Sequence, residues 1–258
     1  MNNEFFFYFV IFLSNIIQGI TGFAGTILAM PFSLRLVGMD VAVPVLNLLG
    51  FLSGVYVFSG NRKSVDKKVL RHVVIVMGIS VLMGLFIKNL LSGRPRLLYY
   101  ILGVIVIIIA VVGLCRILLK KAKMLGDEDD LDSLPSGGVL KASVLLEILL
   151  VAAGIVHGMF VCGGPLLIGY LTRKLPEKAA FRATISTIWI FLNGIILISQ
   201  IAGGMWTPQL IKTTLISLPF LFSGMFIGGV MYRSMSQRFF VILTYILLFI
   251  AGLSLFFK

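Results

Sequence analysis

The sequence predicts an all-α fold: a polytopic transmembrane helix bundle of two inverted repeats, each with a glycine-broken re-entrant segment. Three observations predict it. Of the 258 residues, 59% are hydrophobic and 12% charged, against about a quarter charged in a soluble domain. Apolar runs of the ~20 residues that a helix needs to cross hydrocarbon follow one another along the chain. The two halves also repeat a pattern at one offset. The 21 Phe and 27 Gly suit lipid-facing, closely packed helices.

The elements follow in chain order. Phe5–Leu34 is a long apolar run broken by Gly19, Gly22 and Gly25. The residues before it lack the basic region and cleavage site of a signal peptide, so they read as part of the first membrane segment. Val41–Phe58, Val73–Leu91 and Leu97–Leu119 each read as one crossing. Next comes the polar, acidic stretch Gly126-Asp-Glu-Asp-Asp-Leu-Asp132, a solvated linker without a core of its own. Ala142–Leu171 is the second long run, broken by Gly158, Gly163 and Gly164. Phe181–Ile201, Ile211–Met231 and Phe239–Phe257 complete the set. The expected organisation is a first repeat over 1–120, a cytoplasmic linker over 121–138 and a second repeat over 139–258.

Three ordered matches carry the repeat. Gln18-Gly-Ile-Thr-Gly-Phe-Ala-Gly25 aligns with His157-Gly-Met-Phe-Val-Cys-Gly-Gly164, 139 positions later. Gly84-Leu-Phe-Ile87 matches Gly224-Met-Phe-Ile227, and Leu98-Tyr-Tyr-Ile101 resembles Arg238-Phe-Phe-Val241, each 140 later. Weak internal symmetry of this kind marks many secondary transporters.

Charge chooses the topology. If each glycine-broken run crossed once, the 22 Lys and Arg would divide ten to twelve between the two sides. If each dips in and returns, six stay on one side (Arg35, Lys88, Arg94, Arg96, Lys212, Lys258) and sixteen collect on the other. Excess positive charge marks cytoplasmic loops, so the re-entrant arrangement is expected, with the linker inside and Asn2 and Asp40 outside. Two arms of about 12 residues reach roughly 18 Å each, enough to meet near the midplane. Three full crossings per half then make the halves inverted.

The glycine turns are the first candidate site. Glycine lets backbone N–H groups approach a ligand, and a half-helix starting there aims its positive end at an anion. Pro165 stands where a helix would restart. The competing reading is helix packing through small residues. Both turns resemble the paired motifs of the sulfite exporter TauE/SafE family, as do Arg182-Ala-Thr184 and the mid-chain polar linker. The first turn departs from the family pattern at Ala24, and the second at Val161 and Cys162. The resemblance implies a membrane transporter of small sulfur-containing anions (sulfite, sulfoacetate or other organosulfonates). Such a protein would work by alternating access in a cell membrane, that of a prokaryote. An anion channel and a transporter of small carboxylates are the alternatives.

Polar residues inside apolar runs are costly in lipid and usually face a cavity or a partner. The candidate substrate-binding residues are Gln18, Thr21, Gly22, Gly25, Asn47, His157, Cys162, Gly163, Gly164, Arg182, Thr184 and Asn193. Gln18 and His157 hold equivalent places just before the turns. His157 either packs against a carbonyl, binds an oxyanion or carries a coupled proton. Arg182 either matches oxyanion geometry or sits in cytoplasmic water. Thr184, Asn193 and Asn47 either replace an anion's hydration or bond between helices. Glu147, an acid inside an apolar run, reads as a proton-coupling or internally paired residue.

Other classes fall away. The net charge of +12 lies in the gaps between apolar runs, as topology determinants do, so no nucleic-acid partner is expected. Cys115 and Cys162 form no metal or disulfide pattern, and no metal or cofactor is expected. No GxSxG, HExxH or paired aspartates are present, so the chain does not read as an enzyme. The expected partners are the lipid bilayer and a small anionic substrate. The inside-negative potential drives anions outward, at about 2.3 kcal/mol per charge per 100 mV, so import would need a coupling ion, proton or sodium. Oligomeric state and the exact anion stay open.

Overall fold

The computed structural model describes residues 3–91, 93–123, 136–175 and 177–231, with Ile246, Phe249 and Leu253. Among these, all regular structure is helical. The first half holds α1 (Asn3–Thr21), α2 (Gly25–Val37), α3 (Met39–Asn61), α4 (Lys67–Leu90) and α5 (Pro95–Lys123). The second holds α6 (Ser136–Phe160), α7 (Gly164–Lys174), α8 (Lys178–Ala202) and α9 (Pro208–Met231). Five helices, α1, α3, α4, α8 and α9, are long and apolar enough to cross a membrane, and the chain is an integral membrane protein. Most of the expected linker and most of Phe239–Phe257 lie outside the described residues.

Local chemistry sets the boundaries. The Asp66 carboxylate accepts from the N–H groups of Lys68 and Val69, both at 2.9 Å, and so caps the start of α4. Gly38, with φ of 77°, separates α2 from α3. Gly204, with φ of 67°, lies just past the end of α8. Pro95 and Pro208 open α5 and α9, where a missing N–H costs nothing.

Both long broken runs break where the glycines cluster, at residues 22–24 and 161–163. The chain doubles back at each. A Cβ built on Gly25 would stand 2.8 Å from the carbonyl oxygen of Ser14; along a continuous helix those residues would be about 16 Å apart. A Cβ on Gly163 would stand 2.8 Å from the His157 Cβ. The arms are unequal, however. The 19 residues of α1 reach about 28 Å, more than the 12-residue arm expected, while the returning α2 and α7 have 13 and 11 residues. The break falls late in each apolar run because that is where the glycines stand.

Several helix ends fall at matching positions in the two parts of the chain. Thr21 and Phe160, which end α1 and α6, are 139 apart, and so are Gly25 and Gly164, which start α2 and α7. Lys67 and Pro208, which start α4 and α9, are 141 apart. Packing repeats too. The end of α1 lies on α9, where a Cβ on Gly19 would be 3.1 Å from the Gly228 Cα. The end of α6 lies on α4, where a Cβ on Gly158 would be 3.0 Å from the Gly84 Cα. Backbones approach this closely only through small residues. By this contact Gly84 corresponds to Gly228, one turn beyond the Gly224 that sequence similarity picks. Small residues at the crossing, and not the flanking Phe and Ile, define the equivalence. Between these two pairs α3 packs on α8, with Gly54 against the Ser186 backbone. Phe86, Ile198 and Phe226 point outward, all at least 65% exposed, as lipid-facing side chains do.

Candidate functional site

The two breaks share one backbone device. Gly22 takes a left-handed φ of 81°, and its N–H bonds the Gln18 carbonyl at 2.7 Å. Val161 takes φ of 57°, and its N–H bonds the His157 carbonyl, also at 2.7 Å. Glycine adopts this conformation freely. For a β-branched residue it is an outlier, with strain on the order of 1–3 kcal/mol. Val161 is buried among packed neighbours that hold it there.

The polar residue before each break reaches forward to the next helix. Gln18 Oε1 accepts from the Gly25 N–H at 2.7 Å, and its Nε2 donates to Ser53 Oγ at 3.1 Å. His157 Nδ1 accepts from the Gly163 N–H at 3.4 Å, and Nε2 lies 3.0 Å from Asn193 Oδ1. Accepting at Nδ1 leaves the hydrogen of a neutral imidazole on Nε2, which donates to Asn193. Ser53 and Asn193 are 140 apart, as Gln18 and His157 are 139 apart. The bond from break to neighbouring helix is therefore itself repeated.

The breaks also touch. A Cβ on Gly164 would be 3.5 Å from the Phe23 carbonyl oxygen. The first turns of α2 and α7 thus converge on a small cavity of about 10 Å³, room for roughly one water. Its walls are Gln18, Phe23, Thr26, Ile27, Gly50, His157, Val161, Cys162, Gly164, Trp189 and Asn193, with no carboxylate among them. Each helix start carries about half a positive charge from its unpaired N–H groups. Neither cap residue, Ala24 or Gly163, adds a side-chain bond. Trp189 is 5% exposed and its indole N–H has no partner among the described residues, while its ring stacks on His157 at 5.0 Å. Gly50 clears space for the Asn193 amide, whose Nδ2 would be 2.8 Å from a Cβ there. Chemically, this is a set of donors and positive dipole ends around one point.

Five of the sequence-derived candidates meet at this cavity: Gln18, His157, Cys162, Gly164 and Asn193. Others support it from behind. The Thr21 hydroxyl accepts from the Phe23 and Ala24 N–H groups at 3.3 and 3.2 Å. Gly25 and Gly163 let the returning arms lie against α1 and α6. Asn47 donates to the Asn193 carbonyl at 3.1 Å and to Gln200 Oε1 at 3.3 Å. Two more candidates are not among the cavity walls. Arg182 Nη2 donates to the Gly19 carbonyl at 2.7 Å, at the negative end of α1, with its Cγ near Gly22. Thr184 Oγ1 accepts from the Asp66 N–H at 3.0 Å. Glu147 is remote from the cavity walls; both its oxygens lie 3.1 Å from His72 Nε2, and the two side chains are 44% and 45% exposed.

The sequence reading missed Trp189, Thr26, Phe23 and His72. Trp189 was detectable, since it lies four residues before Asn193 and so shares its helix face. No match was found among curated proteins or among solved structures. The family model described as sulfite exporter TauE/SafE matches residues 7–255, nearly the whole chain. With two glycine-broken helices meeting inside a membrane bundle, and with that match, the chain belongs to the sulfite exporter TauE/SafE family of membrane transporters.

Proposed function

We propose that the chain exports small sulfur oxyanions, sulfite foremost, across the cell membrane of a prokaryote by alternating access. The anion is held between the starts of α2 and α7. The observation that carries this reading is the convergence of two half-helix N-termini on one cavity that has, among the described residues, an unpaired indole donor and no carboxylate. The family's description as sulfite exporter supplies the substrate class.

The physical case is additive. Each helix start stabilises a negative charge by about 0.3–1 kcal/mol, and up to about 2 when partly buried. A hydrogen bond to a charged group adds about 1.5–3 kcal/mol. Trp189 Nε1, the Asn193 amide and the Thr26 hydroxyl are the side-chain donors at hand. Neutral His157 orients Asn193. A cavity of about 10 Å³ is smaller than sulfite, so the anion enters only when the arms part. That requirement favours alternating access over an open channel. The corresponding helices and the sixteen-to-six charge split support inverted repeats with the linker inside. The His72–Glu147 pair, between α4 of one half and α6 of the other, is the place we assign to any coupled proton.

Purified protein in vesicles tests the proposal. Sulfite efflux should saturate and be inhibited by sulfoacetate, with acetate a poor competitor. Efflux that never saturates would mean a channel, and inhibition by acetate alone would mean a carboxylate carrier.

A further inference from the structure

A cluster of cations lies on the surface of the bundle, outside the walls of the cavity. The first turns of α4 place Lys67, Lys68, Arg71 and His72 around an open, shallow hollow on the surface. The cations are exposed. The two nearest described carboxylates are already engaged: Asp66 caps the helix, and Glu147 pairs with His72. Ile75 also lines the hollow. Below it, Ile79, Leu82 and Phe86 continue an apolar face down the same helix, 52–70% exposed including Ile75.

The order of these residues along the helix is the argument. Charge occupies residues 67–72, and exposed hydrocarbon starts at Ile75, about 6 Å beyond Arg71. A ligand that fits both has an anionic head and apolar tails. The corresponding end of α9 presents a single cation, Lys212, in its first turns, on the side expected to carry the fewer positive charges. We propose that the hollow binds the phosphate headgroup of an anionic phospholipid, whose acyl chains lie along Ile75, Ile79 and Phe86. Cationic pockets beside membrane helices recognise such headgroups. Lys67, Lys68 and Arg71 take no part in the transport reading above, and His72 alone is shared with it.

The test is lipid retention by the full chain, measured by native mass spectrometry after exchange with mixed phosphatidylglycerol and phosphatidylcholine. The wild-type chain should retain phosphatidylglycerol about tenfold more than phosphatidylcholine. Lys67→Ala/Lys68→Ala/Arg71→Ala should abolish that preference, and Arg71→Gln, which preserves the fold with least change, should weaken it several-fold. Lys212→Ala should leave it intact. An unchanged preference in both hollow variants would overturn the proposal. Displacement of the lipid by millimolar inorganic phosphate would overturn it too, since the hollow would then hold a free ion.

Discussion

The first break, at Gly22-Phe23-Ala24, and the second, at Val161-Cys162-Gly163, have the same backbone and different side chains. Both turn through one left-handed residue bonded to the residue four back. The first is satisfied from within. Thr21 holds two of its N–H groups, and Gln18 holds a third at 2.7 Å. The second is looser, with a 3.4 Å bond from Gly163 to His157, and it gathers the aromatic and amide groups, Trp189 and Asn193, around the cavity. Where the backbone serves two halves alike, it is scaffold. Where the side chains diverge, the two breaks differ in what they bring to the cavity, and the aromatic and amide groups come from the second half.

The comparison breaks first, and most severely, at the helix crossings. Gly19→Leu and Gly158→Leu would each drive a side chain into a facing backbone. Overpacking a tight contact costs about 1–3 kcal/mol and sometimes more. Both variants should lose folded protein to a similar extent, measured by monodispersity and thermal unfolding in detergent. A large effect in one half alone would mean that the crossings are not equivalent.

The next contrast separates glycines that pack from glycines that face the cavity. Gly25→Ala puts a methyl 2.6 Å from the Gln18 Cβ, so it should lower stability by about 1–3 kcal/mol. Gly164→Ala meets nothing closer than 3.5 Å and should keep stability within about 0.5 kcal/mol. Its methyl nevertheless narrows the cavity, so sulfite binding by titration calorimetry should fall. Equal stability losses would show that both glycines serve packing alone.

The smallest effect sharpens the comparison at the paired polar residues. His157→Gln copies Gln18, keeps one acceptor and one donor, and should change sulfite affinity only a few-fold with the pH profile of transport unaltered. Loss of pH dependence in this variant would make His157 the proton carrier and remove that role from the His72–Glu147 pair.

How much of this was legible in the sequence depends on what each feature rests on. The helices were legible because apolar length is a local property; the expected Val73–Leu91 falls in α4 up to Leu90, although the helix begins six residues earlier, at Lys67. The breaks were legible because glycines marked them, and Gln18 and His157 because polar groups are conspicuous in apolar runs. The roles of the glycines were not legible. Gly25 and Gly164 align, yet one abuts Gln18 and the other a cavity wall, a difference made by neighbours distant in sequence. Trp189 was hidden because an aromatic in an apolar helix looks like core. Arg182 remained ambiguous because only folding shows that its head reaches the Gly19 carbonyl.

The chain's two tryptophans allow the central claim to be tested directly. Trp189 lines the cavity; Trp206 also has a buried indole N–H without a partner among the described residues but lies outside the cavity. With Trp206→Phe, the remaining Trp189 should report sulfite as a saturable change in fluorescence, at wild-type affinity. With Trp189→Phe, the signal should vanish, and calorimetry should show affinity about 10- to 100-fold weaker, as loss of one hydrogen bond to a charged group predicts. Saturable sulfite binding of undiminished affinity in the Trp189→Phe chain, or a signal from Trp206 alone, would place the anion somewhere other than between the two breaks.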